Sequence, residues 1–265
     1  MRSAHGGGFL YALGTKLGIT NVDIVIGSSG DAGSVLYYTT REPEQYEMVK
    51  KIWTELLSTP KFISFIRPWK VMDIDYLVDT VFKKLAPLNI ESIEKSPIEY
   101  YIPITNALTG KTKYVNRKDK VDIFEVLRAT KAIPVFFGKK VELPWGEFVD
   151  GEMGPTLEDH VLFAAQAGAT NILVIDNVAQ KTPMRKLLGT LYAHTRPKGL
   201  KDAVIRDINT QSVCMTIEGT TLLCVQPKQL PAGTLTRDKK KLEETFEIGV
   251  RDALAMEKEL RDLLS

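Results

Sequence analysis

An apolar run, Ile24-Val25-Ile26, ends abruptly in a series of small residues, Gly27-Ser28-Ser29-Gly30-Asp31-Ala32-Gly33. β-Branched side chains favour a strand, whereas glycine and serine punctuate one. The stretch therefore reads as a buried strand that turns sharply into a helix. Such a turn lifts a serine hydroxyl above a helix N-terminus, whose free N–H groups can hold a developing oxyanion. Gly27 and Ser29 satisfy the pattern G-x-S-x-G, with Asp31 standing where the last glycine belongs. A register centred on Ser28 keeps Gly30 but puts Ile26 in the first glycine position, where the strand needs a β-former. Ser29 is the better candidate nucleophile.

A chain of 265 residues can build one large α/β domain with a substantial core. With 44% hydrophobic and 26% charged residues it reads as an ordinary globular protein. Its 35 basic and 33 acidic residues leave a formal charge of +2, which gives no electrostatic footing for nucleic acid. Cys214 and Cys224 form neither a disulfide framework nor a metal-ligand spacing. They are expected to be reduced in a cytoplasmic protein that needs neither metal nor cofactor. No apolar run approaches the ~20 residues that span a bilayer, and no signal sequence opens the chain. The start, Met1 to Gly8, is turn-like, whereas a doubly wound domain leads with a strand. A first strand is therefore expected to be missing from this chain.

Periodicity predicts a short helix over residues 9–18, a buried strand over 22–26 and a helix over 32–40. Residues 44–57 and 74–85 are amphipathic helices. Between them, Phe62-Ile63-Ser64-Phe65-Ile66-Arg67-Pro68-Trp69 is apolar without helical spacing, and reads either as a loop packed into the core or as a greasy lid. A strand over 100–106, a hairpin turn at 109–112, a helix over 123–130 and a strand at 148–151 follow. Next come a helix over 157–167 capped by Gly168 and a core strand over 172–175. Residues 180–212 are predicted helical, 220–225 a strand and 239–264 one charged amphipathic helix. Alternating strands and helices imply layered α/β architecture with a largely parallel sheet.

A serine nucleophile requires a proton acceptor. Asp150 sits, like Ser29, at a predicted strand end, where an α/β sheet gathers its functional groups. The three histidines, His5, His160 and His194, fall in helical or turn-like stretches, where packing or surface roles are the usual reading. The order Ser29, Asp150, late histidine nevertheless leaves a triad open.

Several segments, in order, resemble the patatin-like phospholipase family. Met1-Arg2-Ser3-Ala4-His5-Gly6-Gly7-Gly8-Phe9-Leu10-Tyr11-Ala12-Leu13 resembles the second half of its glycine-rich opening, and Ile26-Gly27-Ser28-Ser29 its nucleophile elbow. Leu127 to Phe137 resembles its Arg-Ala-Ser-x-Ala-x-Pro segment, and Phe148-Val149-Asp150-Gly151 its Asp-Gly-Gly motif. The run from Ala167 to Asp176 is similar to the capped helix and strand that follow. The resemblance implies one patatin-like three-layer sandwich over residues 1–265, with a core at 1–180 and a C-terminal elaboration at 181–265. It further implies a Ser-Asp dyad in which Ser29 attacks a phospholipid or lysophospholipid ester and Asp150 is the base. Arg2 and Gly30 would contribute to the oxyanion hole, Gly27 and Asp31 to the elbow, and Gly151 would support the aspartate. The substrate would reach a cytoplasmic enzyme from a membrane touched by Phe62, Phe65, Ile66 and Trp69. Three features depart from the family pattern: the upstream glycines are absent, Asp31 replaces a glycine and Glu152 a small residue. They leave a second expectation, a catalytically degenerate domain that binds lipid or protein. Asp31 itself is expected to turn its carboxylate outward, toward backbone N–H groups or a basic neighbour.

Overall fold

The computed structural model describes residues 1–177, 183–210 and 217–264. Helix α1 (Ala4–Thr15) is followed by strand β1 (Ile24–Ile26), α2 (Asp31–Thr39) and α3 (Pro43–Lys51), which runs into a π-helical turn, Ile52–Leu56. A π-helical stretch (Tyr76–Leu85) and α4 (Ile90–Lys95) lead to β2 (Glu99–Asn106), β3 (Thr112–Val115), α5 (Ile123–Thr130), α6 (Pro134–Phe137), β4 (Val141–Leu143) and β5 (Gly146–Val149). Then come α7 (Leu157–Gln166), β6 (Asn171–Ile175), α8 (Pro183–His194), α9 (Lys198–Asn209), β7 (Thr221–Val225), α10 (Lys239–Ala255) and α11 (Glu257–Leu264).

The architecture is α/β, and its sheets are mixed rather than uniformly parallel. β1 runs parallel to β2, with Ile24 opposite Glu99, but β2 pairs antiparallel with β3 and β5, and β5 with β4. β6 and β7 make a separate parallel pair. Short loops explain the antiparallel half. Leu143 pairs with Gly146 across only Pro144 and Trp145, and a connection that tight permits no parallel crossover. The sequence does not predict β4: its Val-Glu-Leu alternates buried and exposed, but between Lys139-Lys140 and Pro144 it falls short of a four-residue strand run.

Helices cover both faces of β1. Val25 packs with the large cluster that includes Phe9, Leu36 and Tyr37, whereas Ile26 packs with Val161 and Ala164 of α7. α1 lies along α10, with the Tyr11 and Phe246 rings 5.6 Å apart. The predicted C-terminal helix breaks at Met256 into α10 and α11. Residues 180–182 and 211–212 of the expected helical region lie outside the described residues. Cys224 is disulfide-bonded, which corrects the expectation of a reduced thiol; Cys214 lies outside the described residues. Among the described residues, no helix is long and apolar enough to cross a membrane.

Candidate active site

β1 stops where α2 folds back onto it. A Cβ on Gly27 would lie 2.2 Å from Val35 Cγ2 and 3.1 Å from Ala32 Cα, so only glycine lets the helix pack this closely on the strand end. The Asp31 N–H closes the turn by donating to the Ser28 carbonyl at 2.9 Å. Ser29, at the apex, has φ +46°. That left-handed conformation costs a residue with a Cβ about 1–2 kcal/mol and persists only where the surroundings enforce it.

Three contacts enforce it. The Ser29 N–H donates to Thr130 Oγ1 at 3.1 Å, and Thr130 is itself anchored by donating to the Pro103 carbonyl at 2.8 Å. The Lys131 ammonium donates to the Ser29 carbonyl and, at 3.3 Å, to that of Gly30. The Ser29 hydroxyl donates to Asp150 Oδ2 at 2.7 Å.

Asp150 follows β5 and is buried, at 2% exposure. Its N–H donates to the Ala132 carbonyl at 3.1 Å, and its Oδ1 accepts from the Glu152 N–H at 2.9 Å. Burial pushes the carboxyl up to about 7, although the hydrogen bonds from Glu152 and Ser29 pull the other way. Gly151 is tied to the same strip of chain, donating its N–H to the Thr130 carbonyl at 3.1 Å. A Cβ there would meet the Pro103 carbonyl oxygen at 2.3 Å and Ser28 Oγ at 2.6 Å.

Asp31 does not turn toward its own helix. Its carboxylate accepts from the Asn177 amide at 2.9 Å and from the Ser3 hydroxyl, in space left open by Gly6. Burial raises it to about 7, partly offset by Ser3 and by the charge of Lys131. The basic neighbour is thus present, but the carboxylate points inward because Asn177 and Ser3 offer hydrogen bonds there. Asn177 in turn contacts His5 Nδ1 at 2.9 Å, and His5 Nε2 lies 2.8 Å from Asp252.

Ser29, Gly30, Asp31, Asp150 and Arg2 line one cavity of about 1190 Å³. Its lining also includes the apolar side chains of Leu10, Tyr37, Trp53, Val161 and Ile175. β1 and β6 both line it, and each has one edge that pairs with no other described strand. The apolar 62–69 segment divides in two. Phe62, at 2% exposure, faces inward and borders the cavity, whereas Phe65, Ile66 and Trp69 are exposed, Ile66 at 88%. Phe62 is therefore not part of any outward contact.

The histidines do not converge on the pair. Among the described residues none hydrogen-bonds to Ser29 or Asp150. His5 is wholly buried, and His160 accepts or donates at Nδ1 with the Tyr114 hydroxyl at 2.8 Å. His194 ends α8 on the surface. The residues that sequence reasoning passed over as site components are Thr130, Lys131 and Asn177. A lysine at a helix C-terminus reads as a solvated charge complementing the helix dipole, and nothing local marks its burial.

Comparison with curated proteins gave no match. The crystal structure of VipD from Legionella pneumophila is similar with a TM-score of 0.40 and 12% identity, covering 96% of this chain and 65% of that one. The present chain thus spans less than two-thirds of that protein's resolved length. The family model described as patatin-like phospholipase matches residues 1–157. That match covers the opening helix, the serine turn, the Arg128 to Pro134 segment and the Asp150 motif, and the chain belongs to the patatin-like phospholipase family.

Proposed function

We propose that this protein is a serine acyl hydrolase that cleaves acyl esters of phospholipids or lysophospholipids through Ser29 and Asp150. The observation that carries the reading is the 2.7 Å hydrogen bond from the Ser29 hydroxyl to a buried carboxylate at the wall of a large, mostly apolar cavity. A carboxylate in water is too weak a base for serine. Burial brings Asp150 to about 7, the range in which a general base works best near neutral pH.

In the first step Asp150 accepts the hydroxyl proton as Ser29 Oγ forms a bond to the ester carbonyl carbon, and the carbonyl oxygen takes up the negative charge. The Gly30 N–H, ahead of the Asp31 N–H that closes the turn at the start of α2, would supply a donor for that charge. The tetrahedral species collapses as the proton passes from Asp150 to the leaving alkoxide. Water, deprotonated by Asp150, then attacks the acyl-enzyme and releases the fatty acid. The largely apolar lining of the cavity suits an acyl chain.

A fluorophosphonate probe tests the assignment. Mass spectrometry is expected to find stoichiometric adduct on Ser29, and an unmodified Ser29 under conditions that label a control serine esterase overturns it. A second reading, a lipid-binding module without activity, is favoured by Asp31, because an ionised carboxylate beside the α2 N-terminus opposes a developing oxyanion. The same absence of adduct would support it. His160→Ala is expected to keep ester turnover within about threefold, since no proton route runs through it; a loss rivalling that of Asp150→Asn would instead indicate a triad.

Membrane contact is proposed for Phe65, Ile66 and Trp69, which are exposed on the same segment as Phe62 of the cavity lining. Burying side chains of this size is worth roughly 1.5–3 kcal/mol each. Replacing all three by alanine should lower binding to phosphatidylcholine vesicles by about 100-fold or more, with turnover of a soluble short-chain ester nearly unchanged. Equal binding in a vesicle sedimentation assay would remove the assignment.

A further inference from the structure

We infer that Lys131 is a positioning residue for Ser29, locking the left-handed turn through its carbonyls and supplying the shared counter-charge for Asp150 and Asp31. The inference rests on the hydrolase reading above for its consequence in catalysis, and on independent geometry for the lock.

Thr130 and Lys131 are consecutive, and they grip opposite ends of one residue. Thr130 Oγ1 accepts from the Ser29 N–H, and Lys131 Nζ donates to the Ser29 carbonyl. That carbonyl lies one residue before the helix cap Gly30, so α2 provides it with no intrahelical donor. Without the ammonium it would be a half-buried acceptor left unpaired at the position where the backbone is already strained. Thr130 is fixed to β2 through Pro103, so the grip transmits the position of the sheet to the serine.

The ammonium also faces charge from several elements. Asp31 on α2 and Asp150 after β5 both interact with it electrostatically. Glu152 acts on both carboxylates and raises them, and on the N-terminal segment Arg2 and the Met1 amine, which burial lowers to about 5, complete the set. The ring of Phe82 lies 5.8 Å below Nζ. Lys131 is 5% exposed, and burial lowers it to about 8, with Asp31 and Asp150 holding it up.

Loss of the charge therefore has two separable effects. The turn relaxes, which misplaces Oγ, and Asp150 loses an ion that favours its ionised form, which moves its titration to higher pH. In the wild-type protein, the rate of fluorophosphonate labelling of Ser29 should follow a bell, rising through about 7 and falling above about 8 as Asp150 and then Lys131 give up their protons. Lys131→Arg keeps its charge at all these pH values, so its labelling should retain the acid limb and lose the alkaline one. Lys131→Met should label ~100-fold more slowly at its plateau, with the acid limb displaced upward by roughly one unit.

A Lys131→Arg profile that keeps the alkaline limb, or a Lys131→Met profile that matches the wild type, overturns the inference. Hydrogen exchange of the peptide spanning residues 27–33 tests the lock without any chemistry. Lys131→Met should speed it about tenfold and Lys131→Arg should not. If the wild-type serine fails to label, the hydrolase reading falls while exchange still decides the lock. Should Lys131→Met not fold, the wild-type protein carries the test: exchange of that peptide, corrected for its intrinsic pH dependence, should rise above about pH 8 in wild type and stay flat in Lys131→Arg.

Discussion

Asp150→Asn is expected to lower turnover of a soluble short-chain ester by ~10⁴-fold, approaching the loss caused by Ser29→Ala. Asparagine matches the carboxylate in shape; its one oxygen can keep the Glu152 N–H while its amide donates to Ser29 Oγ, but it cannot take up a proton. Kinetic loss should therefore come without loss of fold, and circular dichroism on the same sample separates the two. The wild-type rate should fall about tenfold for each pH unit below about 7, because only the ionised carboxylate is a base. Stability runs in the opposite sense. The folded carboxyl titrates near 7 against an ordinary value of ~3.9, so between these limits the folded state holds a proton that the unfolded state has released. Stability contributed by this group is greatest below ~4 and declines as pH rises through about 7. Asp150→Asn should flatten that slope; Asp31, raised to about 7 by the same cause, supplies a second slope that Asp31→Asn removes. Asp150→Asn with wild-type turnover would eliminate the aspartate as base.

Gly151→Ala is expected to damage both fold and activity. The added methyl would sit 2.3 Å from the Pro103 carbonyl oxygen, a backbone atom of β2 that cannot swing aside, and 2.6 Å from Ser28 Oγ. Relief requires the Asp150–Gly151 segment to withdraw from β2 and from Thr130. Overpacking of this kind costs about 1–3 kcal/mol, and a melting temperature lowered by roughly 2–10 °C in a domain of this size. Because Thr130 also holds the Ser29 N–H, the same withdrawal moves the serine relative to Asp150. A displacement near 1 Å is enough for a ~10²-fold loss of turnover. Differential scanning calorimetry and ester assays on one preparation measure both. A variant that melts and turns over like the wild type would show that the segment yields freely and that the tight contact has no functional weight.

The two effects differ in kind. Asp150→Asn removes a chemical capacity from an intact frame, whereas Gly151→Ala distorts the frame around intact chemistry. Combining them should give little further loss beyond Asp150→Asn, since a misplaced serine without a base has no more rate to lose.

Local sequence determined the elements whose signals are short in range. Ile24 to Gly33 encodes a strand, a turn and a helix start, because β-branched residues, glycine and serine impose their preferences within a few residues. The amphipathic spacing of residues 123–130 and 157–167 likewise needs only a neighbouring core. Asp150 was legible as a polar residue at a strand end. The tertiary structure alone decided which strands neighbour one another, since Val141 to Leu143 becomes a strand only by pairing with β5. It also decided which residues of an apolar segment face inward: Phe62 and Ile66, four residues apart, are chemically alike, yet packing buries one and leaves the other exposed. Lys131 is the clearest case. A lysine after a helix reads as a solvated charge, and only the convergence of the Ser29 carbonyl and Asp31 from one part of the chain and Asp150 from another makes its burial favourable. Burial of a charge depends on partners brought together by folding, and no local pattern records them.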